Sequence, residues 1–149
     1  FQLICVGKLK DAHLEAVEQD YLKRIISPQM IIHEVRASAE NKEAESDAIS
    51  KKLKDLEKEG PLYRIALTEW GKRYTSVDFA QLTNKWLEKP SKVVFLIAGA
   101  EGFDETFLKT CQEKLSLSEL TFPHKLARIL LVEQLYRAQT IRSGHPYHN

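Results

Sequence analysis

Short apolar runs alternate along the chain with segments whose hydrophobic residues recur every three or four positions. Gln2–Val6 is apolar and ends at Gly7, and Leu14, Val17, Tyr21 and Ile25 then repeat at helical spacing until Ser27-Pro28 stops them. A glycine-bounded apolar run predicts a strand, and the three-to-four period predicts an amphipathic helix. Residues 30–35 predict a second strand. The charged stretch 40–59, with Ala48, Ile49, Leu53 and Leu56 on one face and Gly60 at its end, predicts a second helix. Residues 62–67 form the third apolar run, and 68–72 read as a loop. Ser76 is placed to cap a helix containing Phe79, Leu82 and Trp86 that Pro90 breaks. Residues 93–98 are the most apolar run of the chain, and Gly99-Ala100-Glu101-Gly102 turns it toward a helix starting near Asp104. Residues 115–121 predict a short fifth strand. Phe122-Pro123 then opens a long helix over about 124–142, followed by a tail to Asn149.

Strands alternating with helices in this way predict an α/β fold with a mainly parallel central sheet and helices on both faces. Ligands of such sheets bind outside the carboxyl ends of the strands, so the loops after Leu67, Ala98 and Leu115 are the places to look. The first strand leads into Gly7-Lys8-Leu9-Lys10-Asp11, which is neither a dinucleotide-binding glycine pattern nor a P-loop. A flavodoxin-like ligand domain is disfavoured for the same reason, because its phosphate-binding turn would follow the first strand. In the last helix Leu126, Ile129, Leu130, Leu131, Val132, Leu135, Ala138 and Ile141 cover more than one face. A helix apolar on several faces is buried on several sides, and a second copy of the chain is one way to cover the extra face.

At 149 residues, 43% hydrophobic and 29% charged, the chain fits a single domain spanning residues 1–149. The absence of a long apolar run or a signal-like start leads to the expectation of a soluble cytoplasmic protein. Cys5 lies in a strand-like run and Cys111 in a helix-like one, without metal-ligand spacing around either, so no metal is expected. The net charge of +1 conceals an asymmetry: from residue 120 onward Lys125, Arg128, Arg137 and Arg142 face only Glu133, with His124, His145 and His148 added. A basic carboxyl end suits an anionic partner such as nucleic acid, although cations also favour a helix's own C-terminal dipole. Tyr and His in a terminal tail can stack on bases or exchange protons near neutral pH.

Three segments carry a family resemblance: Ile97-Ala98-Gly99-Ala100-Glu101-Gly102; Leu115-Ser116-Leu117-Ser118-Glu119-Leu120-Thr121-Phe122-Pro123-His124; and Glu133-Gln134-Leu135-Tyr136-Arg137-Ala138 leading to His145-Pro146-Tyr147-His148. Together with Val6-Gly7-Lys8 and Gly71-Lys72 they resemble the RlmH family, bacterial methyltransferases of the SPOUT class, over essentially the whole chain. The resemblance implies methyl transfer from S-adenosylmethionine to N3 of a pseudouridine in 23S rRNA, a homodimer, and a C-terminal trefoil knot. Carried over position by position, it implies a cofactor pocket using Leu67, Gly99, Ser116, Leu117, Ser118, Glu119, Leu120 and Thr121. The family usually has Gly-Gly where this chain has Ala98-Gly99, so Ala98 must take an ordinary backbone conformation.

The resemblance further implies a tail that reaches the cofactor site of the other protomer. Tyr147, His148 and Arg137 are then the candidates for proton removal or anion stabilisation at N3, and Arg142 and His145 for gripping the substrate. Plainer roles stand beside these: an ion pair with Glu133 one turn earlier for Arg137, helix-end solvation for Arg142, and a helix start for His124. The alternative at the level of function is a non-catalytic ribosome- or RNA-binding module with the same fold. So small and nearly neutral a chain has few cations for phosphates, which favours a large preassembled partner, the ribosome, over naked rRNA.

Overall fold

A computed structural model describes residues 1–38 and 41–148. In chain order the elements are β1 (Gln2–Val6), α1 (Ala12–Arg24), β2 (Ile31–Val35), α2 (Lys42–Glu57), β3 (Leu62–Lys72), α3 (Ser76–Leu87), β4 (Lys92–Ile97), α4 (Glu105–Leu108), β5 (Glu113–Leu115) and α5 (His124–Ser143). Glu40 and Asn149, read above as part of the second helix and as the end of the tail, lie outside the described residues.

The five strands form one sheet in the order β2-β1-β4-β3-β5, and every pairing is parallel. Alternation along β1 divides the core: Leu3 and Cys5 face one side, Ile4 and Val6 the other. On the first side α1, α3 and α5 pack with Phe79, Trp86, Leu131 and Leu135 against the sheet. On the second, α2 brings Ile49 and Leu53 and α4 brings Phe107 and Leu108. Helices on both faces bury β4 from either side, which is why residues 93–97 are uniformly apolar.

Four local readings are corrected. The stretch 68–72 is not a free loop but the end of β3: Leu67 and Lys72 both pair with Leu115, and the residues between them bulge out. Gly71 makes the close approach possible, since a Cβ there would overlap the Leu115 main chain. The fifth strand is Glu113–Leu115, and residues 116–121 leave the sheet, turned by the Ser116 N–H donating to the Lys72 carbonyl at 3.0 Å. The cap of α3 is Thr75, whose Oγ1 accepts from the Asp78 N–H at 3.1 Å, while Ser76 is the first helical residue. Cys111 follows the single turn of α4 and does not sit within a helix. Burial raises the Cys111 thiol and pushes Cys5 up to about 12, so neither is a thiolate at neutral pH. Ala98 does take an ordinary backbone conformation, as expected.

The multi-sided character of α5 has a polar cause as well as an apolar one. Arg128 is buried on this helix and forms a two-pronged pair with Glu18 of α1, Nε to Oε2 at 2.5 Å and Nη2 to Oε1 at 2.8 Å. Its Nη1 reaches Glu34 of β2 at 2.7 Å and Cys5 Sγ at 3.3 Å. Gln139 and Arg142 tie the other end of the helix to the chain leaving α1. Gln139 accepts from the Ile26 and Ser27 N–H groups, and Arg142 donates to the Ser27 carbonyl. Leu126 and Leu130, one turn apart on α5, remain exposed. No helix among the described residues is long and apolar enough to cross a membrane.

Removing one member of the buried pair strands a charge. Arg128→Ala is expected to lower unfolding free energy by about 3–5 kcal/mol in urea titrations, and replacing Arg128 and Glu18 together by Met and Leu to recover most of the loss.

Candidate functional site

Strands β3, β4 and β5 end side by side, and the segments leaving them enclose a pocket of about 590 Å³. It is lined by Leu67, Thr68 and Trp70 of β3, by residues 97–103 at and after the end of β4, and by Leu117, Ser118, Leu120 and Thr121 after β5. Pro123, His124 and Ala127 of the α5 entrance close it, and Lys42 reaches in from α2. This is the carboxyl end of a parallel sheet, where the strands leave main-chain N–H and C=O groups without partners.

Of the sequence-predicted pocket residues, Leu67, Gly99, Leu117, Ser118, Leu120 and Thr121 line the cavity directly. Ser116 lies buried behind the wall and donates to the Ser118 carbonyl at 2.8 Å, shaping the loop. Glu119 points outward to an ion pair with Arg73, which fastens this loop to the end of β3.

Gly99 is needed for room. A Cβ there would lie 2.5 Å from Glu45 Oε2, and that buried carboxylate also accepts from the Ser38 N–H. Thr68 went unremarked in the sequence. Among the described residues its Oγ1 is the one buried side-chain oxygen or nitrogen without a hydrogen-bond partner, and it belongs to the pocket wall. A buried hydroxyl without a protein partner in a pocket wall calls for a bound water or a ligand group.

The remaining candidates gather elsewhere. The tail folds back on α5: the His145 N–H donates to the Thr140 carbonyl at 2.9 Å, and the Tyr147 ring packs edge-on against Tyr136, centroids 4.7 Å apart. Glu133 Oε1 accepts from Arg137 Nε at 3.0 Å, from Arg137 Nη2 at 2.6 Å and from the Tyr147 hydroxyl at 3.1 Å. Arg137 Nη1 lies 3.2 Å from His148 Nδ1, and the guanidinium also stands over the Tyr147 ring.

The expected Glu133–Arg137 ion pair is therefore present, as the hub of a larger cluster that the local spacing did not reveal. Burial and the Glu133 carboxylate beside it push the Tyr147 phenol far above its ordinary value, so it stays protonated. Arg142 is engaged with Thr83 and Ser27 and not merely solvated at the helix end, whereas His145 is exposed.

The pocket and the cluster occupy different parts of α5. Ala127 is in the pocket and Arg137 in the cluster, ten residues and about 15 Å apart along the axis.

Residues 1–148 match the family described as "Predicted SPOUT methyltransferase". The chain belongs to this family. Its SPOUT relatives include proteins named "Ribosomal RNA large subunit methyltransferase H" from Gluconacetobacter diazotrophicus, 41% identical over 99% of this chain and 95% of the relative, and from Prochlorococcus marinus, 42% identical over the same shares. Two solved structures share the fold. They are a probable methylase family protein from Haemophilus influenzae and the SpoU methyltransferase AviRb from Streptomyces viridochromogenes, the latter in complex with AdoMet. The first has a TM-score of 0.54 at 11% identity, covering 99% of this chain and 70% of that one. The second has a TM-score of 0.51 at 8% identity, covering 93% and 57%.

In a SPOUT methyltransferase the orphaned Thr68 hydroxyl has a measurable signature of opposite signs. Thr68→Val removes an unsatisfied group from the free protein, so thermal stability is expected to hold or rise. Affinity for S-adenosylmethionine in calorimetric titration is expected to fall about two- to tenfold.

Proposed function

We propose that this SPOUT methyltransferase transfers a methyl group from S-adenosylmethionine to N3 of a pseudouridine in 23S rRNA within the assembled ribosome. It does so as a homodimer in which the tail of one protomer completes the pocket of the other. One observation carries the composite reading: the tail cluster begins about 9 Å from the pocket at Glu133 and extends to about 15 Å at Arg137 along one rigid helix, with the Arg137 guanidinium turned onto Glu133 and His148. Two groups so spaced do not meet on one base within a protomer, but a two-fold pairing brings the tail of each to the pocket of its mate. The exposed Leu126 and Leu130 on the pocket half of α5 supply apolar surface for that pairing. The trefoil knot belongs to the same reading, supported by the convergence of the segments after β3, β4 and β5 at the start of α5.

The pocket residues fit S-adenosylmethionine. Loop main chain from 117 to 121 suits the edge of an adenine ring, Gly99 lets the chain after β4 pass close to Glu45, and the Thr68 hydroxyl lacks a partner. When bound, the donor supplies a methyl group already activated on a sulfonium, so the protein's task is alignment.

In the transfer the N3–H proton is lost, N3 bonds to the methyl carbon, and the carbon–sulfur bond breaks to leave a neutral thioether. The tail cluster offers donors to this process. Arg137 is a cation held by Glu133, Tyr147 remains a phenol, and the His148 Nδ1 lone pair faces Arg137, which can only donate. His148 therefore carries its proton on Nε2. The Arg137 guanidinium and the His148 Nε2–H stabilise the negative charge that spreads to the flanking carbonyl oxygens once N3 is deprotonated, and the proton passes to solvent.

A tritiated-methyl assay on 70S ribosomes beside naked 23S rRNA, with the modified base mapped, is expected to place label at pseudouridine N3 in ribosomes. Absence of transfer to either substrate would overturn the reading. Sharing of the site between protomers is tested by mixing two inactive variants, the pocket-filling Thr121→Trp and a deletion of residues 145–149. Their heterodimers hold one complete site, so mixing is expected to restore about a quarter of wild-type turnover.

A further inference from the structure

Tyr21 reads in the sequence as one of four apolar positions on the first helix, yet its hydroxyl makes a part-buried polar contact. That hydroxyl lies 3.1 Å from the hydroxyl of Tyr147, a residue 126 positions later. Counting hydrogens decides the direction of that bond. A phenol has one proton, and Tyr147 spends its proton on a carboxylate oxygen of Glu133, which only accepts. The contact with Tyr21 is therefore made by Tyr21 donating to the Tyr147 oxygen. The three groups form a directed chain, Tyr21 to Tyr147 to Glu133.

The donor at its head is held firmly. The Tyr21 and Tyr136 rings are in contact, centroids 5.7 Å apart, and the Arg24 guanidinium stands over both, 4.9 Å and 4.5 Å from their centroids. Gln139 accepts from the Ile26 and Ser27 N–H groups, and its side-chain amide donates to the Arg24 carbonyl at 2.8 Å, which pins the end of α1 to α5. Past His145 the tail is held by side chains alone, the Tyr147 ring against Tyr136 and beneath the Arg137 guanidinium. Residues 145–148 contain no helix or strand, and their position depends on a few contacts of which the Tyr147 hydroxyl carries two.

We propose that Tyr21, on the first helix, is a positioning residue for the methyl-transfer site: its hydroxyl fixes Tyr147 and so keeps His148 in register with Arg137. This rests on the reading that the tail is the substrate-facing half of a shared site. Without the Tyr21 donor, Tyr147 keeps its bond to Glu133 but swings about it, and the two residues on either side of it follow.

Tyr21→Phe retains the ring and its packing and removes only the donor. In the full-length protein, with ribosomes as substrate, kcat is expected to fall about two- to tenfold. The KM for S-adenosylmethionine and the thermal midpoint should stay unchanged, because Tyr21 lines no part of the pocket and its ring packing is kept. The decisive arm is a double-mutant cycle. If Tyr21 acts through the Tyr147 hydroxyl, adding Tyr21→Phe to Tyr147→Phe costs nothing further. Wild-type kcat in Tyr21→Phe, or losses that multiply in the double variant, would overturn the proposal. Deleting residues 145–149 separates the two levels. An inactive deletion beside a fully active Tyr21→Phe removes only the role of Tyr21, whereas an active deletion removes the shared-site reading and this inference with it.

Discussion

A guanidinium stripped of water must be met by charge from all sides, and Arg128 meets that demand by drawing three remote segments to one point. Glu18 comes from α1, Glu34 from the edge strand β2 and Cys5 from β1. Hydrophobic contacts would let α5 slide or roll on the sheet at small cost, but a two-pronged ion pair with fixed geometry does not. The demand is local and its effect is global: one turn before Arg128 the helix closes the pocket, and two to three turns after it the helix carries the tail cluster. The attitude of α5 governs both.

The two parts of the proposed site are built from opposite materials. The pocket is made of loop main chain and apolar side chains such as Leu67, Leu117 and Leu120, and the bulged end of β3 contributes Thr68 and Trp70 to it. The tail cluster is almost all side chain, with Glu133 gathering a cation and a phenol and passing order to a chain end that has none of its own. Such a division suits the chemistry. A flat, uncharged adenine is recognised by edges and space, whereas a developing negative charge on a base is recognised by oriented donors.

How much of this is legible in the sequence follows from the range of each interaction. β4 is plain because burial on both faces forces an unbroken apolar run, and α5 is plain because twenty residues of periodicity outweigh any single exception. The end of β3 is hidden because Thr-Glu-Trp-Gly-Lys carries no strand pattern, and only the approach of Leu115 makes it a strand. The apparent strand at 115–121 arises because Leu115, Leu117 and the serines between alternate as a strand would, although the chain has already left the sheet. Most of the pocket residues come from the family resemblance, and the sheet rule had pointed to the same loops. The brace of Glu45 under Gly99 and the reach of Tyr21 to Tyr147 join positions tens to more than a hundred residues apart, and the orphaned Thr68 hydroxyl shows only once its surroundings are assembled. No local spacing reports them.

The rod between Ala127 and Arg137 also bears on how such chains change over generations. Adding one residue within it would turn the tail by about 100° around the helix axis relative to the pocket. In a two-fold assembly the displacement would appear at both sites at once. A connection such as 88–91, which leads from α3 to β4, absorbs a change of length with no such rotation. Substitutions in α5 are open to selection one position at a time, but its residue count is not. Lineages of this fold are expected to vary in length everywhere before they vary there.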